Sequence, residues 1–141
     1  MNIRAAMIAH MKNSAPLVAL LDDYKGFPAI FSPTAPGDYS AKLKPHILVR
    51  RPSKLDDTSP FQGRSSDALV QLSVYGLLPN NSTDDSNIEA VSFEVRERFR
   101  GQAFIHEGIT YQAIASGPIP APSDTENVVG EVLQVRLTVG D

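Results

Sequence analysis

A chain of 141 residues has the usual size for one domain, and 42% hydrophobic with 21% charged residues supports an ordinary core, which excludes disorder throughout. The absence of cysteine excludes disulfides, thiolate catalysis and cysteine-ligated zinc or iron–sulfur centres, and fits a cytoplasmic setting. A formal charge of −3 argues against general nucleic-acid binding, and no stretch reaches the roughly 20 uninterrupted apolar residues of a membrane-spanning helix.

Residues 1–15 do not form a secretory signal, because Arg4, His10 and Lys12 interrupt any apolar region. Ile3, Met7 and Met11 recur every four residues and predict an opening helix with one apolar face. Ser14 and Pro16 break it, and Ser14 suits the cap of a second, short helix running to about Leu21. From Asp22 to Pro45 glycines and prolines punctuate the chain, leaving room for a short strand around Ala29–Ser32.

His46–Arg50 and Ala68–Leu78 read as strands, the second with Val70, Leu72 and Val74 on one face and Gln71, Ser73 and Tyr75 on the other. Their pairing makes a long hairpin whose polar connection, Pro52 to Asp67, projects into solvent. Ser86 and Glu89 have capping-box spacing, and Ile88, Val91, Val95 and Phe99 continue at helical intervals until Gly101. Glu94 and Arg98 are spaced to pair on the exposed side of this helix.

Three strands follow: Ala103–His106, Ile109–Ala115 and Val128–Val139, the first two joined by a turn at Glu107-Gly108. In the last, Leu133, Val135, Leu137 and Val139 alternate with polar residues, so one face is buried. Ser116 to Asn127, with Pro118, Pro120 and Pro122, is expected to be a loop. The sum is one α+β domain over residues 1–141: a mainly antiparallel sheet with two principal helices on one face and a long projecting hairpin.

No reactive constellation accompanies these elements. His10, His46 and His106 lack metal-ligand spacing, and the pairs Asp22-Asp23, Asp56-Asp57 and Asp84-Asp85 sit in loops or at helix boundaries without a calcium-loop pattern. Nucleophile elbows, phosphate loops and dinucleotide fingerprints are missing. The expectation is therefore no catalytic, metal or cofactor site. Charge is unevenly spread, with Lys42, Lys44, Arg50, Arg51 and Lys54 in a run free of carboxylates, and Asp124, Glu126 and Glu131 in a run free of cations. Nucleic-acid contact would call for interleaved aromatics, which the basic run lacks, so a protein-facing patch is the favoured reading.

The Ser-Ala-Pro-Leu-Val-Ala-Leu-Leu segment at 14–21, Lys-Pro-His-Ile-Leu-Val at 44–49, the strand at 69–78, the helix at 87–100 and the ending Gly-Glu-Val-Leu-Gln-Val-Arg-Leu at 130–137 together resemble the bacteriophage tail terminator, or tail-completion, family. The resemblance covers nearly the whole chain in element order. It departs from the commoner pattern in the long Pro52 to Asp67 connection and the three-proline loop.

The resemblance implies a ring, usually a hexamer, that caps the tail tube, stops its polymerisation and offers a surface to a head-side connector or stopper. It implies assembly in the bacterial cytoplasm and residence in the virion tail, with no membrane partner and no specific nucleic acid. The alternatives are a head-to-tail connector or another minor tail or neck protein, and, from a different class, a small-molecule-binding or enzymatic domain. Ring closure needs two complementary patches per subunit. Arg50, Arg51 and Lys54 are expected on one patch and Asp124 and Glu126 on the other, with Phe61 as an apolar anchor in a connection that orders on assembly.

Overall fold

The computed structural model describes residues 2–54, 66–79, 83–101, 103–121 and 127–139. The first apolar stripe forms α1 (Ile3–Lys12), where the Asn2 side chain accepts from the Ala5 amide and Ala6, Met7 and Met11 are buried. A break at Asn13-Ser14 separates it from α2 (Ala15–Leu20), and the Ser14 hydroxyl accepts from the Leu17 amide at 3.4 Å, as the spacing of Ser14 and Pro16 predicts.

The punctuated segment folds into more than the one short strand expected. β1 (Asp23–Tyr24) and β2 (Phe27–Pro28) form a small separate hairpin, turned by Lys25 and Gly26 with positive φ. β3 (Ile30–Phe31) then pairs in parallel with β4 (His46–Val49). β4 and the short β5 (Ser53–Lys54) both pair antiparallel with β6 (Ser66–Leu77), giving the expected hairpin. Most of its connection, 55–65, lies outside the described residues.

α3 (Ser86–Arg98) follows, and beyond it come β7 (Ala103–His106), β8 (Ile109–Ala121) and β9 (Val128–Val139). Among the described residues the main sheet has seven strands in the order β3-β4-β6-β9-β8-β7, with β5 beside β6. The central ladder pairs β6 with β9 over their full length, from Ser66 opposite Val139 to Leu77 opposite Val128.

Alternation along this ladder gives the sheet its two faces. Val70, Leu72, Val74, Leu133, Val135 and Leu137 are all fully buried against the helices. α3 lies across β6, β9 and β8, α1 packs beside β7, and α2 rests on α3. The fold is therefore α+β with the helices on one side of a mainly antiparallel sheet, the two principal helices α1 and α3 accompanied by the short α2 that the break at Ser14 predicts.

Two local expectations are corrected. Asp85, not Ser86, is the N-cap of α3 and makes no side-chain cap bond; the helix begins at Ser86 itself, whose amide donates to Asp84 Oδ1 at 3.0 Å, so the cap lies one residue earlier than predicted. Arg98 does not pair with Glu94. Its Nε donates to the His10 carbonyl oxygen at 2.8 Å, while the His10 ring Nε2–H donates back to the Arg98 carbonyl at 3.0 Å, a reciprocal clasp between the ends of α1 and α3. The ring of His10 also stacks on Phe104, with centroids 4.1 Å apart.

One close approach lies near the Leu77–Val128 end of the ladder. Gly130 sits opposite Tyr75, and a side chain there would collide with the Tyr75 ring and the Val74 carbonyl. Glycine lets the ring lie flat over the backbone.

Burying a leucine such as Leu137 contributes about 1.5–3 kcal/mol, and an unpaired carboxylate in its place costs several kcal/mol, against total stabilities of roughly 5–15 kcal/mol. Leu137, 0% exposed between Ala68 and Ala113, is therefore expected not to tolerate aspartate. Circular dichroism of Leu137→Asp should show loss of the cooperative fold, whereas Gln134→Asp on the opposite face should melt near the wild-type temperature.

Candidate assembly surfaces

The sheet face turned away from the helices carries one of the expected cations, Arg50. Arg50 leaves β4 with its amide donating to the Gln71 carbonyl (3.0 Å) and its Nε donating to Ser73 Oγ (3.4 Å), so its stem lies along that face, and Arg51 beside it is exposed. Lys54 pairs through its backbone with Ala68, but its side chain, together with Phe61, Asp124 and Glu126, lies outside the described residues. Of the six residues expected at an interface, Arg50 and Arg51 are thus brought to one edge of the sheet. Arg136 on β9 shares the same face and bonds Asp67, whose carboxyl is held below its usual range by hydrogen bonds from Arg136 and then Thr138.

The predicted loop Ser116 to Asn127 is in its first half a strand. Ser116–Ala121 continue β8 and pair with β9, with Ile119 opposite Val132 and Ala121 opposite Gly130. Prolines are compatible with this because β7 covers β8 only from Ile109 to Gln112. Beyond that point β8 is an edge strand, where Pro118 and Pro120 give up no ladder bond on the open side.

The ladder shifts register between Ser116 and Ile119, which is a bulge. The bulge re-aims the strand: Ile114 and Ser116 face away from the helices, and the extra residue puts the odd-numbered Ile119 on that side as well. Ile114 is 66% exposed, Ile119 59% and Ile105 of β7 72%. They form an apolar margin on the open face; Ile105 and Ile114 lie on strands expected from the sequence, whereas Ile119 falls in the segment expected to be a loop.

The acidic surface is also displaced. Glu131, counted with the acidic loop, turns toward the helix layer, where Ser92 donates to its carboxylate at 3.0 Å. Burial pushes the Glu131 carboxyl up, Ser92 opposes this, and the nearby charges of Glu89 and Asp85 raise it further. The first half of α3 therefore carries a cluster of negative charge. On its outer side Asp85 and Glu89 are followed by Phe93, which is 59% exposed. Of the Asp84-Asp85 pair, expected at a helix boundary and exposed there, Asp85 acts on Glu131 while Asp84 accepts from the Ser86 amide.

Inside the sheet edge an aromatic group surrounds His46. Its ring lies 4.9 Å from Tyr39, 6.0 Å from Tyr75 and 6.1 Å from Phe31, and it is 6% exposed. The Tyr39 hydroxyl donates to Asp22 Oδ2 at 3.0 Å, and burial followed by this bond raises the tyrosine's pKa. His46 Nδ1 is buried without a hydrogen-bond partner. Burial lowers the His46 pKa to about 4, with the Asp22 charge opposing. This is a neutral core histidine at the start of a strand, in keeping with its place after Pro45.

Shallow clefts on the helix side offer no convergent chemistry. One of about 150 Å³ is lined by Ser14, Glu94, Glu97 and Arg98, but Ser14 caps α2 and Arg98 is bonded to His10. Another of about 330 Å³ includes Arg4 and Ser32, which bond each other at 3.2 Å. Among the described residues no group of three His, Cys, Asp or Glu side chains is placed to hold a metal ion, and no helix is long and apolar enough to cross a membrane.

No protein-family model and no curated protein sequence matches the chain. The fold is similar to that of a chain solved in the "Virion of native gene transfer agent (GTA) particle", with a TM-score of 0.67 and 15% identity, covering 99% of this chain and 95% of that one. At that identity the likeness shows a shared fold over essentially the whole length of both chains.

The environment of His46 makes stability depend on pH in a defined window. Below its ordinary pKa of 6.5 the unfolded chain binds a proton at His46 that the folded chain refuses until about pH 4. Stability should therefore fall as pH drops from 6.5 to about 4, by ~3 kcal/mol, and this contribution should level off below. Urea unfolding of wild type and His46→Gln across this range checks it, since other titrating groups are common to both. The difference between the two should shift steadily with pH, and parallel curves would refute the assignment.

Proposed function

We propose that this chain is a structural protein of a phage-like virion, and specifically the tail terminator. It assembles as a homo-oligomeric ring, a hexamer, on the last ring of tail tube protein, ends polymerisation of the tube and presents its other side to a head-side connector or stopper protein. The observation that carries this reading is the whole-length likeness to a chain of a gene transfer agent virion. The element order that resembles the terminator family points the same way.

Such a part works without a reactive group. It needs two unlike surfaces that complement each other under a rotation that closes. The basic and apolar open face of the sheet and the acidic outer side of α3 are surfaces of that kind. On this reading the protein is not an enzyme, needs no cofactor, assembles in the host cytoplasm and resides in the virion tail.

Deleting the coding sequence from the producing strain and imaging the particles tests the role. The expected result is tails of uncontrolled, excessive length beside unjoined heads, with normal tails restored by the protein supplied in trans. Tails of normal length that fail to join heads would assign the chain to the head-to-tail connector instead, and unaltered particles would remove it from virion assembly.

A further inference from the structure

Two surfaces stand without a partner on opposite layers of the molecule. On the open face of the sheet, Ile114 and Ile119 flank Ser116, and the cross-strand row through Ser116 runs by Gln134 and Gln71 to Arg50. Arg136 lies opposite Ile114 on β9. This face thus carries an apolar margin on β8 with Arg136 beside it on β9, already engaged by Asp67, and with Arg50 at the far end of the row on β4. On the helix layer, Asp85, Glu89 and Phe93 follow one another along the outer side of α3 at intervals of four, an exposed aromatic bordered by carboxylates.

Each surface has what the other lacks. Exposed isoleucines and a phenylalanine lose water-contacting apolar area on meeting, and arginines opposite carboxylates steer and orient the encounter. The backbone supports the same view. The bulge that turns Ile119 outward requires Gly117 at φ +103°, where an added Cβ would come 2.9 Å from the Val132 carbonyl, so the chain adopts a conformation favouring glycine in order to expose an isoleucine. Pro118 and Pro120, without amide protons, keep the edge of β8 from pairing strand to strand, which leaves contact through its side-chain face.

We infer that the open-face margin Ile114–Ile119 of one copy docks on the Phe93 side of α3 of the next copy, with Glu89 and Asp85 directed toward Arg50. A second copy is the occupant because both complementary surfaces are present on the same chain. They lie on opposite layers, so each subunit engages two neighbours head to tail, and such a contact closes into a ring when its rotation divides a full turn. The inference rests on the ring-forming role proposed above and names its interface.

Cysteine trapping tests it cleanly, because the chain has no cysteine of its own. Oxidising a mixture of Phe93→Cys and Ile114→Cys proteins should give a covalent dimer that neither variant gives alone. Glu89→Cys with Ile119→Cys serves as a second pair, since a disulfide needs Cα atoms within about 7 Å. In sedimentation, Glu89→Lys should weaken self-association about tenfold, and combining it with Arg50→Glu should restore it. Both variants change exposed or half-exposed positions, and circular dichroism checks that they fold. Homodimers of either single cysteine variant would mean a two-fold contact and overturn the inference. Rings of normal size without any helix-to-sheet cross-link would overturn this interface and leave the ring role standing. A protein that stays monomeric, alone and with tail tubes, would remove both.

Discussion

The pairing of β6 with β9 is the constraint on which the rest of the molecule depends. Twelve consecutive residue pairs run from Ser66–Val139 to Leu77–Val128 without a shift, so the direction of every side chain in the middle of the sheet follows from one register. A slip by one residue would send Leu72, Val74, Leu133 and Leu137 into solvent. Strands on either side inherit this alternation: Ala113 on β8 lies beside Leu137 under the helices, while Ile114 lies beside Arg136 on the open face. The core and the exposed margin are two consequences of the same ladder.

Polar groups in the interior strengthen that arrangement locally. The clasp between His10 and Arg98 uses two side chains to satisfy carbonyls near the ends of α1 and α3, and the stacking of His10 on Phe104 extends it to β7. Ser92 draws Glu131, a carboxylate at an inward-facing position of β9, toward α3. His46 is held neutral among tyrosines. His10 and His46 thus have packing roles, and among the described residues neither converges with a carboxylate pair in a cleft.

Exposed apolar groups lie on both layers of the molecule. The bulge in β8, the prolines that blunt its open edge and the isoleucines beside them concentrate on one margin, and Phe93 with its carboxylates lies on the other layer. Surfaces so divided suit head-to-tail association, in which like faces never meet and unlike faces always do.

The amino-acid sequence determined the elements whose signals are local. Periods of four and two placed α1, β6 and β9, Ser14 and Pro16 fixed the break before α2, and Glu107-Gly108 turned β7 into β8. It also brought Arg50 and Arg51 into view as surface cations. Tertiary structure decided what depends on neighbours. Pro118 and Pro120 read as a loop because a proline interrupts a ladder, and only the short reach of β7 leaves β8 an open side on which they fit. Asp85 took the N-cap position expected for Ser86, whose amide donates to Asp84 instead, and His10 drew Arg98 away from Glu94 across 88 residues of sequence. The exposed faces of Ile114, Ile119 and Phe93 were invisible for the same reason: exposure is a property of what does not pack nearby, and no local spacing encodes it.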